Sequence, residues 1–263
     1  MAVVAACSQP ARPKAGATPS HNAAAIGETF TLDSRVLGER RTINVYVPPD
    51  YGKNNERYPV LYMPDGGMDE DFPHVVGSVD VSIKNAVIRP VIVVGVKNTV
   101  RKRDLVGVSR LPEEMKMLPE AGGNHKFRQF LRDELKPWVE ARYRTTKEAA
   151  LIGESAAGLF VVETFLLEPA MFDAYIAVDP SVWWNEQELV RGAHARLAWW
   201  TAGPKQLYVA TAEMQEGITI LLTALRIEAP PGVVWRHDPM PHETHGTIFP
   251  TAALHGIRMV FAN

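Results

Sequence analysis

Residues 149–160 have the pattern of a buried strand, a sharp turn and a helix. An apolar run leads into Gly153-Glu-Ser-Ala-Ala-Gly158, and apolar residues then recur at the spacing of one helix face. A turn of this kind lifts its serine hydroxyl, here that of Ser155, out of the carboxyl end of a sheet. In the usual G-x-S-x-G pattern the last glycine stands at the position of Ala157. The alternative is a buried strand–helix join with an incidental serine.

Strand and helix patterns alternate along the rest of the chain, which predicts an α/β fold with a mainly parallel sheet and helices on both faces. Residues 26–263 suit one such domain, without a large separate cap domain. The predicted strands are 42–47, as a strand of an antiparallel edge, and 58–63, 88–96, 149–152, 174–178, 206–211 and 233–236. The predicted helices include 125–143, capped by Asn124 and broken or kinked near Pro137, and also 186–200, 218–227 and a last helix.

Cys7 is the one cysteine in the chain. Val4-Ala-Ala-Cys7 looks like the end of a bacterial lipoprotein signal, and residues 8–25 have the composition of a flexible tether. However, only six residues precede Cys7, fewer than a signal peptide needs. Residues 1–25 are therefore predicted to be a disordered tether or a signal remnant, and the alternative is a disordered tail with a chance cysteine. Lipid attachment at Cys7 would favour the bacterial cell envelope over the cytoplasm.

Composition argues against several other classes of partner. The net charge of -2 gives no reason to expect nucleic acid or an anionic membrane. No stretch approaches the ~20 apolar residues of a membrane span. No metal-ligand spacing such as C-x-x-C or H-E-x-x-H occurs, so no metal site is predicted.

A serine hydroxyl becomes a nucleophile when a base removes its proton, and an acid must hold the tautomer of that base. In this architecture the chain order is serine, acid and histidine, each on a loop at the carboxyl end of a strand. Ser155 comes first, Glu213 and Glu216 follow the strand 206–211, and His245 follows the last strand. Glu216 is preferred as the acid because it precedes the next helix, and Glu213 is the alternative.

The choice of histidine rests on position among the eight in the chain. His242 shares the loop after the last strand and is the rival of His245. His245-Gly-Thr leads directly into the last helix, which favours His245 as the base. His237 at a strand edge and His255 within a helix are expected to be structural or solvated.

An oxyanion that develops on the substrate needs two or more aimed donors. The Ala156 N–H is one by the geometry of the turn. The second is expected from Asp65-Gly-Gly-Met68, at Gly67 or Met68, because glycine lets the backbone approach a substrate. The alternative is that these glycines only form a turn.

Two tryptophans and a charged segment are candidates for substrate binding. Trp183 and Trp184 follow a strand's carboxyl end, where ligands bind in open α/β sheets. They are candidate pocket walls, and the alternative is packing beneath a helix. Arg101, Arg103 and Arg110 lie in the long aperiodic segment 97–123, where they could attract an anionic substrate or form an ordinary solvated charge run.

These stretches together resemble the esterase D and enterochelin-esterase-like branch of the α/β-hydrolase superfamily, also called putative esterases. The resemblance is carried by residues 58–67, 153–158, 179–184 and 245–247, and it spans about residue 30 to the C-terminus. It implies hydrolysis of a small-molecule carboxylic ester without metal or cofactor, with Ser155 as nucleophile and His245 as base. Some family members are described by a Ser–His dyad.

Two other functions are compatible with the same residues. An acyltransferase on this fold would use an alcohol or amine in place of water at the acyl-enzyme. A non-catalytic binding protein could use the hydrolase scaffold, although the intact Ser155 and His245 argue against it.

Overall fold

Eight strands form one sheet in the computed structural model, which describes residues 26–263. Cys7 and the predicted tether lie outside the described residues, and lipid attachment stays a prediction. The strands are β1 (Glu28–Ser34), β2 (Glu39–Tyr46), β3 (Tyr58–Met63), β4 (Ile92–Val96), β5 (Thr145–Glu154), β6 (Ala174–Val178), β7 (Lys205–Thr211) and β8 (Val233–Pro239).

The strand order is β1-β2-β4-β3-β5-β6-β7-β8. Strands β3 to β8 run parallel, whereas β1 and β2 are antiparallel to their neighbours. The predicted α/β-hydrolase fold with a mainly parallel sheet is confirmed. Residues 42–47 belong to the antiparallel edge, as predicted, and β1 pairs along the outer side of β2 as a further strand. In β1 the half-buried Phe30 and Leu32 alternate with exposed polar residues, and only Ser34 is buried.

Helices cover both faces of the sheet. They are α1 (Phe72–Lys84), α2 (Arg101–Leu105), α3 (Pro112–Met117), α4 (Asn124–Phe130), α5 (Lys136–Arg142), α6 (Ala156–Leu167), α7 (Glu188–Arg191), α8 (Ala193–Ala198), α9 (Glu216–Glu228) and α10 (Ile248–Val260). One core contains Phe127 and Phe160 beneath α4 and α6, and the other contains Phe72 and Ile257 beneath α1 and α10. The described residues form this sheet and its helices without a separate cap domain.

The helix predicted at 125–143 is interrupted, as the proline indicated. A π-helical turn, Leu131–Leu135, separates α4 from α5, and Pro137 lies in the first turn of α5, where a missing N–H is tolerated. The predicted cap is wrong. Gly123 precedes the helix, and the Asn124 side chain instead donates hydrogen bonds to the Glu163 carboxylate at 2.6 and 2.7 Å.

Parallel strands of one sheet end at the same edge, so the loops after β3, β5, β6, β7 and β8 meet there. Those loops carry the residues that the sequence singles out. Among residues 26–263, no helix has both the length and the apolar character that a bilayer crossing requires.

Candidate active site

Ser155 sits at the turn between β5 and α6. Its backbone angles are φ 58° and ψ -116°, a conformation that a residue with a side chain adopts only under strain. The Ser155 N–H donates to the Val178 carbonyl at 3.0 Å, and the Ser155 carbonyl accepts from the Ser181 N–H at 3.0 Å. These two bonds tie the strained turn to the end of β6. The neighbouring loop therefore holds the serine in place.

Two glycines allow the chain to turn this sharply. A Cβ on Gly153 would lie 2.7 Å from the Cβ of Ala157, and a Cβ on Gly158 would lie 2.8 Å from the Val178 carbonyl oxygen. Both distances are shorter than non-bonded atoms permit. The glycine that the usual motif places at Ala157 is therefore needed here one residue later, where α6 passes the end of β6.

The structure brings Ser155 and His245 together. The Ser155 Oγ lies 3.1 Å from the His245 Nε2. The other ring nitrogen, Nδ1, lies 2.6 Å from the Asp179 Oδ2. A carboxylate in that position accepts the Nδ1 proton, which leaves Nε2 as the acceptor for the serine hydroxyl. The three side chains thus form a continuous hydrogen-bonded chain.

Asp179 is positioned by its own loop. It follows β6 directly, with φ 40°, and is only 8% exposed. Its second oxygen, Oδ1, accepts the Ala212 N–H at 3.0 Å, and its own N–H donates to the Ala210 carbonyl at 2.8 Å. Both bonds come from the end of β7, so the carboxylate is clamped between two strand ends.

The expectation that Glu216 contacts His245 is wrong. Glu216 is exposed at the start of α9, where its carboxylate accepts a bond from Gln187 at 3.0 Å and lies 3.7 Å from Arg191. The loop after β7 places Glu216 beside Gln187 and Arg191 and not beside His245. The alternative, Glu213, is an exposed residue on the cavity wall and makes no hydrogen bond to His245 in the described structure. The signal that was missed is an aspartate immediately after a buried strand that neighbours β5.

His242, the rival base, is exposed, and within residues 26–263 its ring makes no hydrogen bond to Ser155 or Asp179. His237 and His255 have structural partners. His237 bonds to Thr211 at 2.9 Å, and His255 bonds to Asp238 at 2.9 Å. The position of these two agrees with their predicted structural roles.

The predicted donors to an oxyanion differ in availability. The Ala156 N–H is the first of α6 and has no intrahelical acceptor. The Gly67 N–H donates to the Glu70 carboxylate at 2.7 Å, so it is already engaged. Met68 follows with an exposed side chain, and its N–H makes no bond in the described part of the chain. Of the two candidates after β3, Met68 is therefore the available donor.

The loop after β3 is held rigidly. Asp65 has φ 55° and accepts two hydrogen bonds from Arg101, at 2.6 and 2.7 Å. A Cβ on Gly66 would lie 2.3 Å from Gly95, so this loop lies directly against β4. A fork of two parallel bonds to a carboxylate fixes orientation as well as distance. Arg101 is thus used for structure rather than left free.

A cavity of about 380 Å³ opens beside the serine. It is lined by Lys102, Ser155, Asp179, Pro180, Ser181, Trp183, Ala212, Glu213, Gln215, Glu243, Thr244 and His245. The two predicted tryptophans separate. Trp183 lies on the cavity wall and is 41% exposed, whereas Trp184 is 5% exposed and donates its indole N–H to the Gly107 carbonyl at 2.9 Å. The prediction that Trp184 lines the pocket is wrong, because its ring packs in the core.

Ser181 and Lys102 are two cavity residues that the sequence did not indicate. The Ser181 Oγ lies 3.3 Å from the Ser155 Oγ. Nothing in the sequence distinguishes this serine from others in loops. Arg103 and Arg110, by contrast, are engaged with Glu39 and Glu188.

Glu154 adds a titratable group directly before the serine. Burial raises the pKa of Glu154 to about 7, and the carboxylates of Asp71 and Asp65 add to the rise, while His245 and Arg101 oppose it. Near neutral pH the Glu154 carboxyl is therefore only partly ionised, and it is adjacent in sequence to Ser155.

The sheet order, the strained serine at the end of β5 and the histidine after β8 define an α/β-hydrolase. The sequence profile described as "Putative esterase" matches residues 34–224. The chain belongs to this family, which confirms the resemblance.

Similar proteins include esterases. The chain is 31% identical over 191 residues to the ferri-bacillibactin esterase BesA of Bacillus subtilis, a match that covers 62% of this chain and 61% of that protein. It is 35% identical over 79 residues to a siderophore enterobactin esterase of Emericella nidulans, which covers 28% and 26% of the two chains. The matches thus span less than two thirds of either relative.

A solved structure supports the same fold. An IroE-like serine hydrolase from Shewanella oneidensis superposes with a TM-score of 0.80 at 28% identity. The superposition covers 89% of this chain and 80% of that one.

Proposed function

We propose that this protein hydrolyses a small-molecule carboxylic ester through an acyl-enzyme on Ser155. The observation that carries the proposal is the chain of two hydrogen bonds from Ser155 through His245 to Asp179, of 3.1 and 2.6 Å. Membership in the family and the named activity of its relatives support it.

In the first half of the reaction, the His245 Nε2 removes the Ser155 hydroxyl proton while Oγ attacks the ester carbonyl carbon. The tetrahedral intermediate then breaks its bond to the alcohol oxygen, which takes the proton from Nε2. The alcohol leaves, and the acyl group stays bonded to Oγ. Asp179 keeps the imidazole in the required tautomer and stabilises its cation.

In the second half, water takes the place of the alcohol. Nε2 accepts a proton from the water as the oxygen attacks the acyl-enzyme, and then returns a proton to Oγ as the acid leaves. We assign the oxyanion donors to the N–H groups of Ala156 and Met68. The Ala156 donor also benefits from the positive end of the α6 dipole.

For the substrate, the names of the relatives favour a siderophore ester. Trp183 is the proposed apolar contact for it, because its ring is exposed on the cavity wall. A partly exposed indole offers a flat apolar face together with an N–H donor.

The proposal is tested by hydrolysis of 4-nitrophenyl butyrate by wild type, Ser155→Ala and His245→Gln. Loss of a triad serine costs on the order of 10⁶ in turnover in a comparable system. If pure, folded Ser155→Ala kept more than about a tenth of wild-type activity, a change under about 1.4 kcal/mol, Ser155 would not be the nucleophile. Product analysis with a competing alcohol distinguishes hydrolysis from acyl transfer.

A further inference from the structure

Lys102 is a cationic side chain of the serine cavity that the proposed reaction does not use. It lies in α2, the short helix that follows β4, and lines the same cavity as Ser155. Its two neighbours are engaged, Arg101 with Asp65 and Arg103 with Glu39 and Asp104. Within residues 26–263, the Lys102 ammonium has no carboxylate within salt-bridge distance and donates no hydrogen bond.

Lys102 is a half-buried residue. Burial lowers the pKa of Lys102, and the neighbouring Arg101 lowers it further, against the weaker opposing effect of Asp65 and Glu120. A cation that loses water without gaining a counter-ion is costly, and a bound anion would remove that cost. Lys102 is therefore a group whose missing partner can come from a ligand.

Apart from Asp179, which is bonded to His245, the carboxylates of the cavity lie on the opposite side of the serine from Lys102. Glu213 follows β7 and Glu243 precedes His245 in the loop after β8, whereas Lys102 follows β4. In the sheet order, β5 lies between β4 on one side and β7 and β8 on the other. An anionic substrate group is thus favoured at the Lys102 end and disfavoured at the carboxylate end.

The proton path decides which part of the ester faces each end. The departing alcohol oxygen must lie within hydrogen-bond reach of the His245 Nε2, because it receives its proton from that atom. His245 is on the loop after β8, so the alcohol lies on that side of Ser155. The oxyanion points to the Ala156 and Met68 donors, so the acyl chain takes the remaining direction at the tetrahedral carbon, away from the His245 side.

We propose that Lys102 is a specificity-determining residue that binds an anionic group, such as a carboxylate, on the acyl part of the ester. This inference rests on the proposed ester hydrolysis at Ser155. The preferred substrates are monoesters of acids that carry a second oxyanion, and neutral acyl groups of the same shape are turned over less efficiently.

Four aryl esters test this. Mono-4-nitrophenyl adipate carries a carboxylate on the acyl part, and its adipamate analogue replaces that group by a neutral amide. The hexanoates of 3-hydroxybenzoate and 3-hydroxybenzamide place the same change on the alcohol part. For each ester, kcat and KM are measured with wild type, Lys102→Met, Lys102→Arg and Lys116→Met. Lys116 is the matched control, because it is an exposed lysine of the same segment, paired with Glu113 outside the cavity.

Lys102→Met is expected to lower kcat/KM for the adipate monoester at least about tenfold, mainly through KM, the scale of one lost charge-assisted contact. The other three esters should change less than about twofold, and Lys102→Arg should restore most of the preference, since it keeps the charge. Lys116→Met should match wild type. Raising the salt concentration should weaken the preference of wild type but not that of Lys102→Met.

Each other result has a distinct meaning. An equal loss on the adipate and adipamate esters would overturn the inference in favour of a structural role for Lys102. A selective loss of kcat/KM on the hexanoate of 3-hydroxybenzoate would overturn the assignment to the acyl part. If wild type and Ser155→Ala hydrolyse all four esters equally slowly, the proposed function itself fails, and the Lys102 inference fails with it.

Discussion

At the scale of single residues, the acid partner of His245 is the main difference from the sequence prediction. Asp179 is nearly buried and its two oxygens are both bonded, whereas Glu216 is solvated and bonded elsewhere. A buried carboxylate with two donors holds the imidazole in one orientation.

The first prediction separates these two carboxylates. Asp179→Asn should lower turnover by about 10²–10⁴, the range of triad precedents, because an amide no longer stabilises the required tautomer and cation. Glu216→Gln, the matched control, should stay within about threefold, under about 0.7 kcal/mol. Turnover is measured on 4-nitrophenyl butyrate, with circular dichroism to establish folding. A crippled Glu216→Gln beside an active Asp179→Asn would contradict the assignment.

Glu154 gives a prediction about pH. Its pKa rises from 4.5 to about 7 in the folded protein, so the folded state binds this proton more tightly than the unfolded state. The stability that this proton contributes is fully present below the unfolded value and is lost as pH rises from about 4.5 to about 7. Glu154→Gln keeps a neutral side chain and should avoid this loss.

Urea unfolding of wild type and Glu154→Gln at about pH 5 and about pH 8 measures the effect. The free energy of unfolding of the variant minus that of wild type should be larger at about pH 8 than at about pH 5. If this difference in free energy of unfolding is the same at both pH values, the pKa of Glu154 is not raised in the folded protein.

The sequence was informative at this scale where a motif fixes geometry. Ser155 and His245 follow from the strand–turn–helix pattern and from chain order. Chain order places the acid between them but does not say which strand end reaches the imidazole. That choice depends on how the loops after β6 and β7 leave the sheet, which no local pattern encodes. Trp183 and Trp184 are likewise consecutive and identical, so the sequence does not show which side chain faces the cavity and which faces the core.

At the scale of elements, the turn between β5 and α6 depends on space for the backbone. Gly158 lies where α6 passes the end of β6, and a Cβ there would meet the Val178 carbonyl at 2.8 Å. The same carbonyl accepts the Ser155 N–H, so pushing it away would also disturb the serine.

The next prediction compares two glycines in helices. Gly158→Ala should destabilise the fold by about 1–3 kcal/mol, as overpacking does, and should reduce turnover. Gly77→Ala in α1 meets open space and should be neutral or stabilising by up to about 1 kcal/mol. Urea unfolding and hydrolysis of one ester by both variants provide the test. Wild-type stability and turnover in Gly158→Ala would refute the role given to this close approach.

At the scale of the whole molecule, the alternation of strands and helices predicted the class of fold and most of the sheet. The strands 58–63 and 174–178 agree with β3 and β6, because fully buried strands read as continuous apolar runs. The edge strand β1 has no comparable pattern, since solvent covers much of it. The short helices α2 and α3 were missed because neither is long enough to show a period.

The N-terminal segment carries its own prediction. Val4-Ala-Ala-Cys7, followed by residues rich in alanine, proline and serine, resembles a lipid-attachment sequence with its tether. Intact-mass measurement of native protein from fractionated cells should show an acylated N-terminal cysteine in the envelope fraction. Native protein that retains Met1 and has an unmodified Cys7 would contradict lipid attachment.

The most direct test of the account is to find the reacting atom with a fluorophosphonate probe and peptide mass mapping. One adduct per chain is expected, on Ser155. The adduct should be absent in Ser155→Ala, strongly slowed in His245→Gln and retained in Ser181→Ala, whose hydroxyl lies 3.3 Å from the Ser155 Oγ but has no hydrogen bond to His245 in the described structure. No adduct on wild type, or an adduct on Ser181 in its place, would contradict the account.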